Sequence, residues 1–180
     1  MPGPPVRGRS PLSRAALVRF RAMPDTAAAT PPNPVTQALL ATMDDRHGDM
    51  AALLAGLPAG ALDWSPAADA NSLAGLARHI LDIEGHVARE LAGGDATWTG
   101  ANGTQVDAPA NADLLTALLQ QSVRALNALL GEVSARDSAR LMVALEEFDH
   151  CAMHHGQMQL TRHLWEAAHP GVASRYEHWR

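Results

Sequence analysis

Leucine, methionine and valine recur at intervals of three and four residues through four separate stretches of the chain, and this spacing constrains the fold more than any other feature. An α-helix turns ~100° per residue, so residues spaced this way share one face. A strand needs strict alternation, and the few β-branched residues never alternate with polar ones. Ala and Leu dominate an apolar share of 47%, against 4% aromatics. Ala loses no side-chain entropy in a helix and Leu loses little, so an all-α fold is expected. A chain of 180 residues suits one domain with a sizeable core.

Residues 1–33 stand apart. Seven prolines (Pro2, Pro4, Pro5, Pro11, Pro24, Pro31 and Pro32) and an Arg-rich, acid-poor run to Arg21 leave little room for a packed element. This segment reads as a disordered tail or an overextended start, with Met23 as an alternative beginning and at most a short helix over 13–22. The domain is expected over 34–180.

The first helix opens at Asn33-Pro34, where Asn caps and Pro suits the first helical position. Val35, Leu39, Met43, Met50, Leu54 and Leu57 mark its stripe, and Pro58 and Gly60 end it. The second runs from near Ser72, through Leu73, Leu76, Ile80, Ile83, Val87 and Leu91, to Gly93-Gly94. Residues 93–110 form a long connection holding Trp98, which would either lid a pocket or anchor the loop. The third helix runs from a cap near Asn111 to about Val133, and the fourth from about Ser138 to Ala168. Four helices with broad apolar faces imply a four-helix bundle.

Net charge is −5. Phosphate contacts need a basic face, so nucleic acid is not an expected partner. No apolar run approaches the ~20 residues of a membrane helix. Cys151 is the only cysteine, so no intrachain disulfide forms and a cytoplasmic setting is expected.

Nine histidines are an excess, and their positions matter. His150 and His154 are spaced i, i+4, so both imidazoles can address one ion. On a helical wheel they share a face with Val143, Glu146, Gln157, Thr161 and Trp165; His155, Gln159, Arg162, His163 and Glu166 fall opposite, on a face that reads as solvated. Leu141, Leu145 and Phe148 fall on that solvated side, to be covered by the N-terminal tail or a partner subunit. An inward imidazole pair is costly unless both rings find partners. His79, set among Leu76, Ile80 and Ile83, is the best third ligand; taken alone it reads more readily as a hydrogen-bonded core histidine.

Two segments carry a resemblance. Trp64-Ser65-Pro66, followed by Asn71-Ser72-Leu73-Ala74-Gly75-Leu76-Ala77-Arg78-His79-Ile80, resembles the second-helix signature of the DinB/YfiT-like metalloenzymes. His150-Cys151-Ala152-Met153-His154-His155-Gly156-Gln157-Met158 resembles that family's fourth-helix motif, with His155 where the motif usually has Arg. The likeness spans about residues 34–168. It implies a four-helix bundle in a mirror variant of the up-and-down arrangement, and three ligands that map onto His79, His150 and His154. It further implies one divalent ion (nickel, zinc, iron or manganese) completed by water, and, in some members, transfer reactions using a low-molecular-weight thiol on a small-molecule substrate. A homodimer is plausible on the same ground.

Around such a site Gln157 is a candidate to orient His154, and Glu147, at i−3, to accept the ring proton of His150, although an exposed ion pair is its commoner role. His86, two turns beyond His79, could line the pocket, and His47 is left unassigned. Cys151 reads as a small packing residue. A ferritin-like di-iron arrangement would need Glu-x-x-His on two helices; Glu147-x-x-His150 offers one, and Glu84 and His86 have the wrong spacing. The alternative function is a non-catalytic, stress-related binding protein with a structural or vestigial metal.

Overall fold

The computed structural model describes residues 34–58, 60–94, 108–134 and 136–171. The N-terminal segment 1–33 and Trp98 lie outside the described residues. Among the described residues four helices make up the regular structure: α1 (Pro34–Leu54), α2 (Leu73–Leu91), α3 (Ala112–Gly131) and α4 (Ser138–Ala168).

Local chemistry sets their ends. The Ser72 side chain accepts from Gly75 N at 3.1 Å, Asn111 from Leu114 N at 2.9 Å and Asp137 from Arg140 N at 3.2 Å, each satisfying one amide that the first turn leaves over. After α2, Gly94 N donates to Arg89 O and Gly93 N to Glu90 O, the paired bonds of a Schellman ending. That ending needs the left-handed backbone of Gly93, at φ +75°.

The helices pack as α1 on α3, α3 on α2, α2 on α4 and α4 on α1. Around the bundle the order is therefore α1, α3, α2, α4. The pairs α1/α2 and α3/α4, consecutive in the chain, face each other across the diagonals. This differs from a plain up-and-down bundle, in which each helix lies beside the next.

The core falls into two apolar clusters. One holds Met50, Leu53, Leu54, Leu73, Leu76, Ile80, Leu115, Leu119, Cys151 and Met158. The other holds Leu39, Met43, Val87, Leu91, Val123, Leu126, Leu130 and Ala144. Between them every helix contributes a buried polar residue: His47 from α1, Glu84 from α2, Ser122 from α3 and Glu147 from α4.

The polarity of α4 departs from the expected wheel. Its buried residues are Ala144, Glu147, Cys151, His154, Met158, Thr161, Arg162, Trp165 and Glu166. Arg162 and Glu166, expected in solvent, are inside, whereas Glu146 and Gln157 are exposed. The buried arc is turned by roughly 60° from the one drawn through His150 and His154, at ~100° per residue. Leu141 and Phe148 need no tail or partner to cover them, because both pack against the second cluster. The Arg46 guanidinium lies over the Phe148 ring at 4.6 Å. On α1, Val35 is 63% exposed rather than part of the apolar stripe.

Candidate metal centre

His79 rises from the middle of α2, next to the fully buried Ala77 and Ile80. The Ser72 cap sets where that helix begins. The neighbouring Arg78 Nε donates to Ala108 O at 2.7 Å, tying the far end of the α2–α3 connection beside it. His150 and His154 stand one turn apart on α4, at the edge of its buried arc. This rim position leaves His79 and His150 half-buried and His154 buried.

The three rings meet. His150 Nε2 lies 2.9 Å from His154 Nε2 and 3.3 Å from His79 Nε2. Ligand atoms of all three fall within 4.8 Å of one another. The rings are steeply inclined, at 65°, 83° and 78°, so each presents an edge rather than a face.

Hydrogen bonding fixes which nitrogens point inward. His154 Nδ1–H donates to Gln157 Oε1 at 2.7 Å, leaving the Nε2 lone pair for the centre. His150 Nδ1 faces Glu147 Oε2 at 3.6 Å, so its Nε2 also turns toward the other rings. Nitrogen atoms this close need a proton or a metal ion between them. Burial, and then the neighbouring His154 and His150, push the His79 pKa below its ordinary value, against the pull of Asp82. Burial likewise lowers that of His154, with the Gln157 bond opposing and His150 adding to the fall. Both rings are thus held neutral, the form that binds metal. Three imidazoles, two of them reachable from solvent, make a donor set that fits a divalent cation with a coordination position left open.

The expected neighbours divide. Gln157 reaches His154 although most of its side chain is exposed. Glu147 is 2% exposed, which rules out a surface ion pair. His86 is not among the side chains that converge; its Nε2 lies 3.9 Å from Glu90. A second donor group, His47, Glu84 and Cys151, lies buried in the bundle. Spacing along the helices assigns His47 no role and makes Cys151 a packing residue. The signal that marks them is a polar residue at an apolar-stripe position, as His47 is between Met43 and Met50.

No helix among the described residues is long and apolar enough to cross a membrane. No curated protein matches the chain. A family model does, over residues 42–168, which takes in most of α1 and all of α2, α3 and α4. The helices and the three-histidine centre thus lie almost wholly inside that match, which covers well over half of the chain, and the protein belongs to the DinB superfamily.

Proposed function

We propose that this protein is a metal-dependent transferase that uses a low-molecular-weight thiol at a divalent ion held by His79, His150 and His154. The observation that carries the reading is the convergence of three imidazoles from two helices, with inward nitrogens 2.9 and 3.3 Å apart. Gln157 holds the ring of His154 in the orientation that ligation needs, and Glu147 Oε2 faces Nδ1 of His150 at 3.6 Å. A divalent ion there supplies positive charge that lowers the pKa of a bound thiol or water and polarises a carbonyl. The nucleophilic sulfur has to come from a cosubstrate. Cys151, the only cysteine, is fully buried, and burial pushes its pKa far up. Imidazole donors suit nickel, zinc and iron, and manganese less well, so the donor set does not choose among the first three.

Protein purified without a histidine tag is expected to carry divalent metal, and His79→Ala to carry one ion fewer per chain by elemental analysis. The metal-replete protein is expected to consume at least one member of a panel of cellular thiols paired with small electrophiles. Full metal occupancy with no turnover across that panel would overturn the transferase reading in favour of a binding protein.

The partner best suited to the outside of α4 is a second copy of the chain. Met142, Leu145, Met153, Leu160 and Leu164 are exposed along one line of that helix. Gly156 lies on the same line with open space before it, which permits close approach. Sedimentation is expected to give a dimer, and Met153→Glu a monomer; a wild-type monomer at high concentration would remove this partner.

A further inference from the structure

The polar layer between the two apolar clusters is not accounted for by the three-histidine centre. His47 is 1% exposed, Glu84 0%, Glu147 2% and Cys151 0%. Ionised or strongly polar groups are seldom placed this deep without full pairing. Here the pairing is incomplete: Glu84 Oε2 and both carboxylate oxygens of Glu147 are buried with no hydrogen-bond partner among the described residues. Buried acceptors left over in this way call for a water or an ion.

The donors are already oriented. His47 Nδ1–H donates to Met43 O at 2.8 Å, so its Nε2 is turned to Glu84, whose Oε1 lies 2.5 Å away. A backbone carbonyl on one ring nitrogen is the usual means of aiming the other at a metal. Ligand atoms of His47, Glu84 and Cys151 lie within 4.8 Å of one another. They come from three helices, α1, α2 and α4, and offer nitrogen, oxygen and sulfur.

We infer that His47, Glu84 and Cys151 form a second metal site, separate from the three-histidine centre and able to take a thiophilic divalent cation of the zinc or cobalt type. Charge balance favours it. At 2.5 Å a proton must lie between His47 Nε2 and Glu84 Oε1, so before loading the pair carries no net charge, nor does the thiol. Loading sends that proton and the thiol proton to solvent and leaves a neutral imidazole, a carboxylate and a thiolate around a dication. One dication replaces two protons, so the buried layer gains no net charge. Glu84 Oε2 acquires the partner it lacks. Glu147 lies 3.6 Å from His150 Nδ1 and also feels the charges of Glu84 and His47. The thiolate separates this site chemically from the other, whose donors are all nitrogen.

The test is cobalt binding to full-length, tag-free protein, stripped of metal while unfolded and refolded with Co²⁺ so that access to the interior is not limiting. Two ions per chain are expected, with a near-ultraviolet thiolate-to-cobalt charge-transfer band. Cys151→Ser, nearly isosteric, is expected to abolish the band and bind one ion. His79→Ala is expected to keep the band and also bind one. One ion per chain without the band in the wild type would overturn this site and leave the three-histidine centre standing, with His47 and Glu84 as a proton-sharing structural pair. A band with one ion that His79→Ala does not remove would do the reverse. The wild-type spectrum decides for or against the second site even if a variant fails to fold.

Discussion

Glu147 shows at the level of one side chain what the polar layer costs. Burial pushes its pKa up to about 6, against the opposing pull of the nearby His150 ring. The charge of Glu84 on α2 adds to the rise, and His47 on α1 pulls against it. A carboxyl with a higher pKa folded than unfolded binds its proton more tightly in the native state. Its contribution to stability is therefore full below the unfolded value of 4.5 and is lost as pH rises through about 6. That loss is worth roughly 2 kcal/mol, at 1.36 kcal/mol per pKa unit. In metal-free protein, Glu147→Gln is expected to gain about that much relative to wild type between about pH 4 and pH 7.5, in unfolding free energies from urea titration. A difference between the two proteins that stays constant over this range would show that Glu147 keeps an ordinary pKa. At this scale the sequence was partly legible. The spacing of His150 and His154 fixes a shared face by helix geometry alone, and His79 stood out because apolar residues surround it. His47 and Glu84 did not, because a lone polar residue on a stripe reads the same whether it sits at the rim or at the centre of a bundle.

Helix α4 holds the largest gap between sequence pattern and structure, and the reason is its inverted polarity. Glu147, Cys151, Arg162 and Glu166 face inward while Met142, Leu145, Met153, Leu160 and Leu164 face out, so a wheel built on hydropathy assigns the faces wrongly. Ends were far more legible than faces. The caps at Ser72, Asn111 and Asp137 and the Gly93 ending are local chemistry, whereas the direction of a face depends on which helices surround it. Arg162 shows what the inversion does. Its Nε donates to Glu166 Oε1 at 2.6 Å, and its Nη1 to Leu53 O at 2.9 Å and Ala55 O at 3.2 Å. The guanidinium thus takes up carbonyls that the end of α1 leaves over and docks that end on α4. Removing one member of a buried ion pair costs about 3–5 kcal/mol. Arg162→Ala is expected to lose stability in that range by urea denaturation. Arg162→Ala combined with Glu166→Gln is expected to lose less than the sum of the two single changes, since they share one network. A loss below about 1 kcal/mol for Arg162→Ala would place the side chain in solvent instead.

For the whole molecule, the four-helix class followed from composition and spacing, but the order α1, α3, α2, α4 around the bundle did not. That order depends on connections such as the one between α2 and α3, whose length allows several routes. It matters because it sets α2 against α4, and only then can His79 meet His150 and His154. The three-histidine centre is consequently a property of the assembled bundle, since in an unfolded chain residue 79 has no fixed relation to residues 150 and 154. A ligand that binds only the folded state stabilises it by RT ln(1 + [L]/Kd), about 2.7 kcal/mol at a hundredfold excess over Kd. For a chain of this size that corresponds to a rise in Tm of roughly 5–10 °C. Cys151→Ser isolates this effect by disabling the second proposed site. Nickel or zinc is expected to raise the Tm of Cys151→Ser in differential scanning calorimetry, and a chelator to reverse the rise. Cys151→Ser/His154→Ala is expected to show no shift with the same metals. Gln157→Ala in the Cys151→Ser background is expected to need more metal for the same shift, because His154 loses the partner that holds its Nε2 inward. An equal shift in the His154→Ala background would mean that the ions act on the bundle at some other point, and the tie between α2 and α4 through a shared cation would be lost.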